Sequence, residues 1–321
     1  MRVDILNIPE WTYHAEKSGL DPLGLQNSSV ALYQRLIPGI GNVTLRVRYY
    51  GFYPWLVRRY LQESGSTDPE VWRLFLRRAE ALYALISYRA GGETGVAGTQ
   101  WATRAVTTAK EGRGAIPIDF AAAAAPGSDD HYFAQSGGAF GLAYQSLLYE
   151  IGILSRGEGH GIPVPSKESG AALAEGFEAA MGEAAQIFKD VHARGLVTLA
   201  ELDALHPFAP SQIAFKNSAE RDVYHRVLFG RSADQDAPGS FRTRTLLLVL
   251  KVAELLGRPP NPEEIRWTLY AGQTHNGNRL ELTHTNLISP CERWRIYKDN
   301  DLCNVALEPL IHGAGHEDGR R

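Results

Sequence analysis

Apolar side chains recur along this chain mainly at helical spacing. Between Ile37 and Leu61, residues Leu45, Tyr49, Phe52, Leu56 and Tyr60 follow at steps of four, three, four and four. That is one face of an α-helix. Asn42 is placed to cap it after the turn Pro38-Gly39-Ile40-Gly41. Pro54, inside it, lacks a backbone donor and predicts a kink. The same segment also reads as a short strand over 43–49, because Val43, Leu45, Val47 and Tyr49 alternate with Thr44, Arg46 and Arg48.

A second stripe through Val71, Leu74, Phe75, Ala79, Leu82, Leu85 and Ile86 follows Thr67-Asp68-Pro69, where Thr67 or Asp68 caps and Pro69 opens the first turn. Upstream, residues 1–36 read as an irregular arm with a short helix through Val30 and Leu36, capped by Ser28 or Ser29. Residues 90–130, with GGETGVAG, the alanines at 121–125 and PGSDD, read as an exposed loop holding a short helix from Trp101 to Lys110. A helix is expected from Gly138 to Glu150, then a glycine-rich hairpin, the extended Ile162-Pro163-Val164-Pro165 and an Ala/Leu helix.

The helical pattern continues to the end. Ile187, Phe188, Val191 and Leu196 form a stripe, and Thr198 with Glu201 fits a capping box. Ser218 caps a helix to Phe229, and Arg231 to Gly239 is a polar loop. Phe241 to Leu256 is apolar nearly all round, which predicts a central helix. Asn261-Pro262-Glu263-Glu264 opens a helix to Tyr270, and Pro290 to Leu310 forms the last one, ahead of a disordered tail. The expected fold is mainly α, a multi-helix assembly with a small winged-helix-like β-hairpin. Its expected parts are 1–130, 131–180, 181–310 and a tail at 311–321.

Composition narrows the class. The chain has 321 residues, 44% hydrophobic and 21% charged, which is ordinary for a globular protein. Its net charge of −3 removes any whole-chain pull on nucleic acid, while a local patch stays open. Two cysteines, Cys291 and Cys303, give no disulfide framework and fit a reducing cytoplasm. The N-terminus lacks the pattern of a signal peptide, and the longest apolar run, Leu246 to Leu250, is too short to span a bilayer.

Candidate chemistry is sparse. His275, His284, His312 and His316 lie near the two cysteines in sequence, but glycines at 313 and 315 oppose a helical metal pair and the cysteines are twelve apart. No metal and no cofactor is expected. GGETGVAGTQ fits neither phosphate-loop nor dinucleotide spacing. Gln135-Ser136-Gly137-Gly138 lacks the first glycine of a nucleophile elbow, and Asp129-Asp130 with Glu281 gives no nuclease arrangement. What stands out is arginine beside aromatics: Arg46, Arg48, Tyr49, Tyr50, Trp55, Arg58 and Arg59, then Arg77 and Arg78 on the next helix. Such arginines either lay their stems on apolar surface and pair with carboxylates, or build a contact surface for phosphate, nucleic acid or a protein.

Two resemblances bear on function. Ile151, Gly152, Ile153, Leu154, Gly161, Val164, Ser166, Gly170 and Leu173 resemble the helix-end, wing and following helix of bacterial winged-helix regulators. Only Gln135 and Gln145 lie near enough to read bases. Arg48, Tyr49, Tyr50, Phe52, Tyr53 and Trp55, with Trp294, Tyr297 and Asn300, are similar to motifs of a group of large bacterial proteins from mobile or phage-defence gene neighbourhoods. That resemblance implies no activity and no catalytic residue. The expectation is therefore a non-enzymatic cytoplasmic protein that associates with nucleic acid or with protein subunits in a defence system. The nine arginine and aromatic residues would make its contacts. The alternatives are a metal-dependent hydrolase or nuclease with a scattered site, and a purely structural helical scaffold with its aromatics in the core.

Overall fold

The structure is a computed structural model that describes residues 25–41, 43–112, 116–159, 161–213, 218–230 and 238–314. It is mainly helical. Helix α1 (Leu25–Leu36) takes in Ser28 and Ser29, so neither caps it. The aromatic stripe becomes the innermost helix, α2 (Tyr49–Glu63), which buries eleven of its fifteen residues. It starts later than the stripe suggests. Residues 43–48 are turns and irregular chain, neither helix nor strand, and Leu45 is 63% exposed. The Asn42 cap lies outside the described residues.

Helix α3 (Pro69–Arg89) is started as its sequence predicts. Asp68 accepts the Glu70 N–H at 2.8 Å, and Pro69 occupies the first turn. The following segment corrects the expected exposed loop. It folds into α4 (Thr99–Glu111), β1 (Ile118–Asp119) and α5 (Phe120–Ala124), with Val96, Trp101, Phe120, Ala124 and Tyr132 buried. Alanine side chains are short, so α5 packs closely on α3.

The chain is helical from Gly138 to Glu150, as expected, with a π-helical turn over Phe140–Tyr144 before α6 (Gln145–Glu150). The hairpin forms from β2 (Leu154–Arg156) and β3 (Pro163–Pro165), antiparallel, with Ser155 opposite Val164. It is not free-standing. Leu154, Ile162 and Pro163 are buried, and β3 packs on α2. Helix α7 (Ser169–Met181) then lies along α2. Its start needs Gly170, because a Cβ there would come within 2.2 Å of the Ile153 carbonyl oxygen and 3.0 Å of Pro165 Cα. Gly170→Ala is therefore expected to destabilise the protein by about 1–3 kcal/mol by overpacking, although alanine suits helices better than glycine. A urea titration of the variant checks the sign.

Helix α8 (Glu183–Arg194) leads into β4 (Leu196–Val197), which pairs antiparallel with β1. Helix α9 (Leu199–Ala204) carries the complete Thr198/Glu201 capping box. Helix α10 (Ala219–Phe229) is capped by Ser218 and packs on α7. One apolar core runs from Tyr49 to Tyr224 and draws on each helix from α2 to α10. Its residues lie on both sides of 130 and of 180.

A second apolar cluster involves α11 (Pro238–Leu256). This helix is central to a second, smaller core rather than to the large one. With α12 (Pro262–Ala271) and α13 (Thr285–Ala314) it forms a smaller cluster around Leu248, Val252, Leu269, Leu287 and Cys291. Leu250 is 53% exposed. Helix α1 completes this unit, packing on α13 and α11. Arg242 fastens it to the main body by donating to the carbonyls of Pro38, Val227 and Leu228. Helix α13 extends to Ala314, four residues into the expected tail, and the rest of that tail lies outside the described residues. No described helix is long and apolar enough to cross a membrane.

Candidate functional site

The arginine and aromatic residues do come together, but inside the protein. Arg48 precedes α2 and its side chain is 1% exposed. Nε and Nη2 donate to the two oxygens of Glu220, each at 3.0 Å. Nη1 donates to the carbonyls of Pro207 at 2.6 Å and Ala209 at 2.5 Å. Tyr224 Oη lies 3.1 Å from Glu220 Oε1 and 3.3 Å from the Arg48 carbonyl oxygen. One guanidinium thus joins α2, the 207–209 segment and the start of α10. This planar, bidentate use is what distinguishes arginine from lysine.

A second polar centre surrounds Glu80, in the middle of α3. Tyr53 Oη (2.9 Å) and Phe140 N (2.8 Å) donate to Oε1. Tyr132 Oη (2.6 Å) and Ala139 N (2.9 Å) donate to Oε2. Two of these donors are orphan N–H groups of the helix that begins at Gly138, so Glu80 caps that helix from a distant part of the chain. Gly138 has φ +65°, and a Cβ on it would sit 2.2 Å from Glu80 Oε2. Burial pushes the Glu80 carboxyl above its ordinary range, against the pull of its four donors. Tyr49 packs nearby against Tyr53, Tyr83 and Tyr144 with ring centroids 4.7–5.3 Å apart. Burial raises the pKa of all four phenols, which stay protonated at neutral pH.

Four of the other five candidate arginines are also engaged. Arg59, itself buried, donates from Nε to Glu63 at 2.8 Å and stands over the Phe75 ring at 5.2 Å. Its Nη2 lies 3.4 Å from His192 Nδ1. His192 Nε2 meets the Phe75 carbonyl at 2.9 Å, so Nε2 carries the proton and Nδ1 accepts. Burial, aided by Arg59, lowers the pKa of this imidazole to about 3. Arg77 is buried and donates to the carbonyls of Ala124, Phe133 and Gln135. Arg58 pairs with Glu178, and Arg46 donates to the Thr94 carbonyl at 2.7 Å and pairs with Glu93 at 3.5 Å. Arg78 is partly buried, with its Nε covered and without a partner.

This corrects the expected contact surface. Arg48, Tyr49, Tyr50, Trp55, Arg59 and Arg77 are all under 5% exposed, and Arg46, Arg58 and Arg78 are only partly accessible. The physical reason is that α2 is apolar nearly all round, so whatever lies between its aromatics is buried with them. The reading that pairs the arginines with carboxylates and lays their stems on apolar surface is the one the contacts match. Sequence reasoning missed Glu80, Glu220, Tyr132, Tyr224 and His192. For Glu80 a signal existed, since it interrupts the run Ala79 to Ile86, which is otherwise without charge.

The remaining candidates stay apart. Among the described residues no group of three or more His, Cys, Asp or Glu side chains gathers as a metal site. His275 is exposed and stacks on Trp267 with centroids 5.0 Å apart, and His284 is exposed. The His312 and His316 side chains lie outside the described residues. Cys291 is buried, Cys303 is exposed, and both are free. Trp294 and Tyr297 pack on Tyr33 of α1, and Asn300 Nδ2 donates to Ser29 Oγ at 2.8 Å. That motif is therefore the seam between α13 and α1. No family model, no curated protein and no solved structure matches the chain. Arg48 is paired with Glu220, the phenols stay protonated, and the two polar centres tie distant segments of the chain together.

Proposed function

We propose that this protein is a complex-forming helical scaffold whose C-terminal helices dock a protein partner. The observation that carries this reading is the placement of exposed apolar side chains. Among the described residues, nine of the fifteen large exposed hydrophobics lie on α1 and α11–α13, and five of them lie on α13 alone. On α13, Ile296, Cys303 and Leu307 follow at steps of seven and four, which sets them on one helical face. Ile296 is 57% exposed. Exposed apolar side chains gathered on one helical face form the kind of patch that protein contacts use. The partner of matching chemistry is an amphipathic helix that lays its apolar stripe along α13. A bacterial defence assembly is the setting that the motif resemblance suggests, and it is part of the proposal.

The test compares tagged wild type with Ile296→Asp/Leu307→Asp, both recovered from the native host. A stoichiometric partner is expected with wild type, with retention falling more than tenfold in the double variant while helical circular dichroism is unchanged. Equal retention by both would refute the docking face. Salt-dependent binding of duplex or single-stranded DNA, measured by fluorescence anisotropy and equal in both proteins, would instead restore the nucleic-acid reading.

A further inference from the structure

One cavity gathers positive charge with no carboxylate on its wall. It measures about 240 Å³ and lies between α3 and the 125–136 segment. Arg73, Arg77, His131, Ser128 and Ser136 supply its polar lining, and the rest is alanine, proline, glycine and phenylalanine. Arg77 is 4% exposed, and its donors meet only backbone carbonyls. No Asp or Glu among the described residues forms an ion pair with it. Carbonyl dipoles stabilise this cation without cancelling its charge. A buried charge keeps a strong local field because little water screens it.

The neighbouring groups add to that field. Arg73 is partly exposed and pairs with the exposed Glu70 across one helical turn. Such a surface pair is weak and gives way to a better-placed anion. The turn from Ala125 to Ser128 fixes one wall. Pro126 takes its second position, Gly127 its third with φ +74°, and Ser128 N closes on the Ala125 carbonyl at 3.4 Å. His131 Nδ1 lies 3.2 Å from the Ser128 carbonyl, which places the ring beside the same turn.

We propose that this cavity binds a small oxyanion, namely phosphate or sulfate, either free or as the terminal group of a small ester. Guanidinium, imidazole and hydroxyl groups together are the usual donors to such oxygens. The volume lies below the range of pockets that enclose drug-sized ligands, so it accommodates one anionic group and not a whole nucleotide. The rival account makes Arg77 only a clip that ties the 124–136 segment to α3.

The full chain is titrated calorimetrically with inorganic phosphate, then with glycerol phosphate, at an ionic strength held constant with chloride. Saturable one-site binding is expected. Arg77→Ala removes the clip as well as the charge and is not the informative variant. Arg73→Gln and His131→Gln leave the clip in place, and each is expected to weaken binding about tenfold. Tighter binding of the ester assigns the site to a phosphate-bearing small molecule, and tighter binding of phosphate assigns it to the free ion. No saturable binding overturns the proposal. So does equal affinity in the double variant, or equal competition by chloride.

Discussion

Arg48→Ala is expected to lower the unfolding free energy by about 3–5 kcal/mol, because it leaves Glu220 as an uncompensated buried charge. Both partners are almost fully buried, at 1% and 3% side-chain exposure. The variant also strips a donor from the Pro207 and Ala209 carbonyls. A urea titration followed by circular dichroism reads the loss directly. The double variant Arg48→Met/Glu220→Leu separates the cost of an orphaned charge from the worth of the pair. Apolar residues of similar volume often replace a buried ion pair at little cost. The double variant should therefore be clearly more stable than Arg48→Ala, and the two sites should couple strongly in a double-mutant cycle. An Arg48→Ala loss below about 1 kcal/mol, the scale of an exposed pair, would mean that water reaches Glu220 and that the centre is less closed than its geometry indicates.

That pair also shows where sequence reading stopped. The helix starts were legible because their causes are local. Asp68 with Pro69, Thr198 with Glu201 and Ser218 each act within three residues, and each caps as its sequence predicts. The helix from Gly138 and the hairpin at 154–165 were legible for the same reason. Arg48 and Glu220 are 172 residues apart, and nothing near either names the other. The aromatic segment organises the core, and of the two readings of its arginines the contacts match the one that pairs them with carboxylates. Periodicity tells that a face is apolar, whereas the burial of the remaining face depends on α7, β3 and α3 closing around it. Helix α11 is a related case. Apolar character all round signals many apolar contacts without saying with which partners, and α11 makes them with α1, α12 and α13 in the C-terminal unit, where Leu250 alone of its large hydrophobics is exposed.

Glu80→Gln should cost about 2–4 kcal/mol, the scale of one or two hydrogen bonds to a charged acceptor. All four neighbours of the carboxylate are donors: Tyr53, Tyr132 and the N–H groups of Ala139 and Phe140. A glutamine presents one oxygen and one NH2. Whichever way it turns, one of the two backbone N–H groups faces another donor and cannot rotate away. The start of the helix at Gly138 then loses half of its cap, and the π-helical turn over Phe140–Tyr144 is the part of the fold that should loosen first. The pH dependence adds an independent check. Burial raises the Glu80 pKa in the folded protein, while an unfolded glutamate titrates near about 4.3. As pH rises from there, the unfolded chain loses its proton before the folded one does. The contribution of Glu80 to stability is therefore complete in acid and is lost as pH climbs through the folded pKa. Glutamine does not titrate, so the stability gap between wild type and Glu80→Gln should narrow from about pH 4 upward. Urea titrations of both proteins across that range measure the gap. A gap that widens instead would mean that the four donors outweigh burial and hold Glu80 ionised inside the protein.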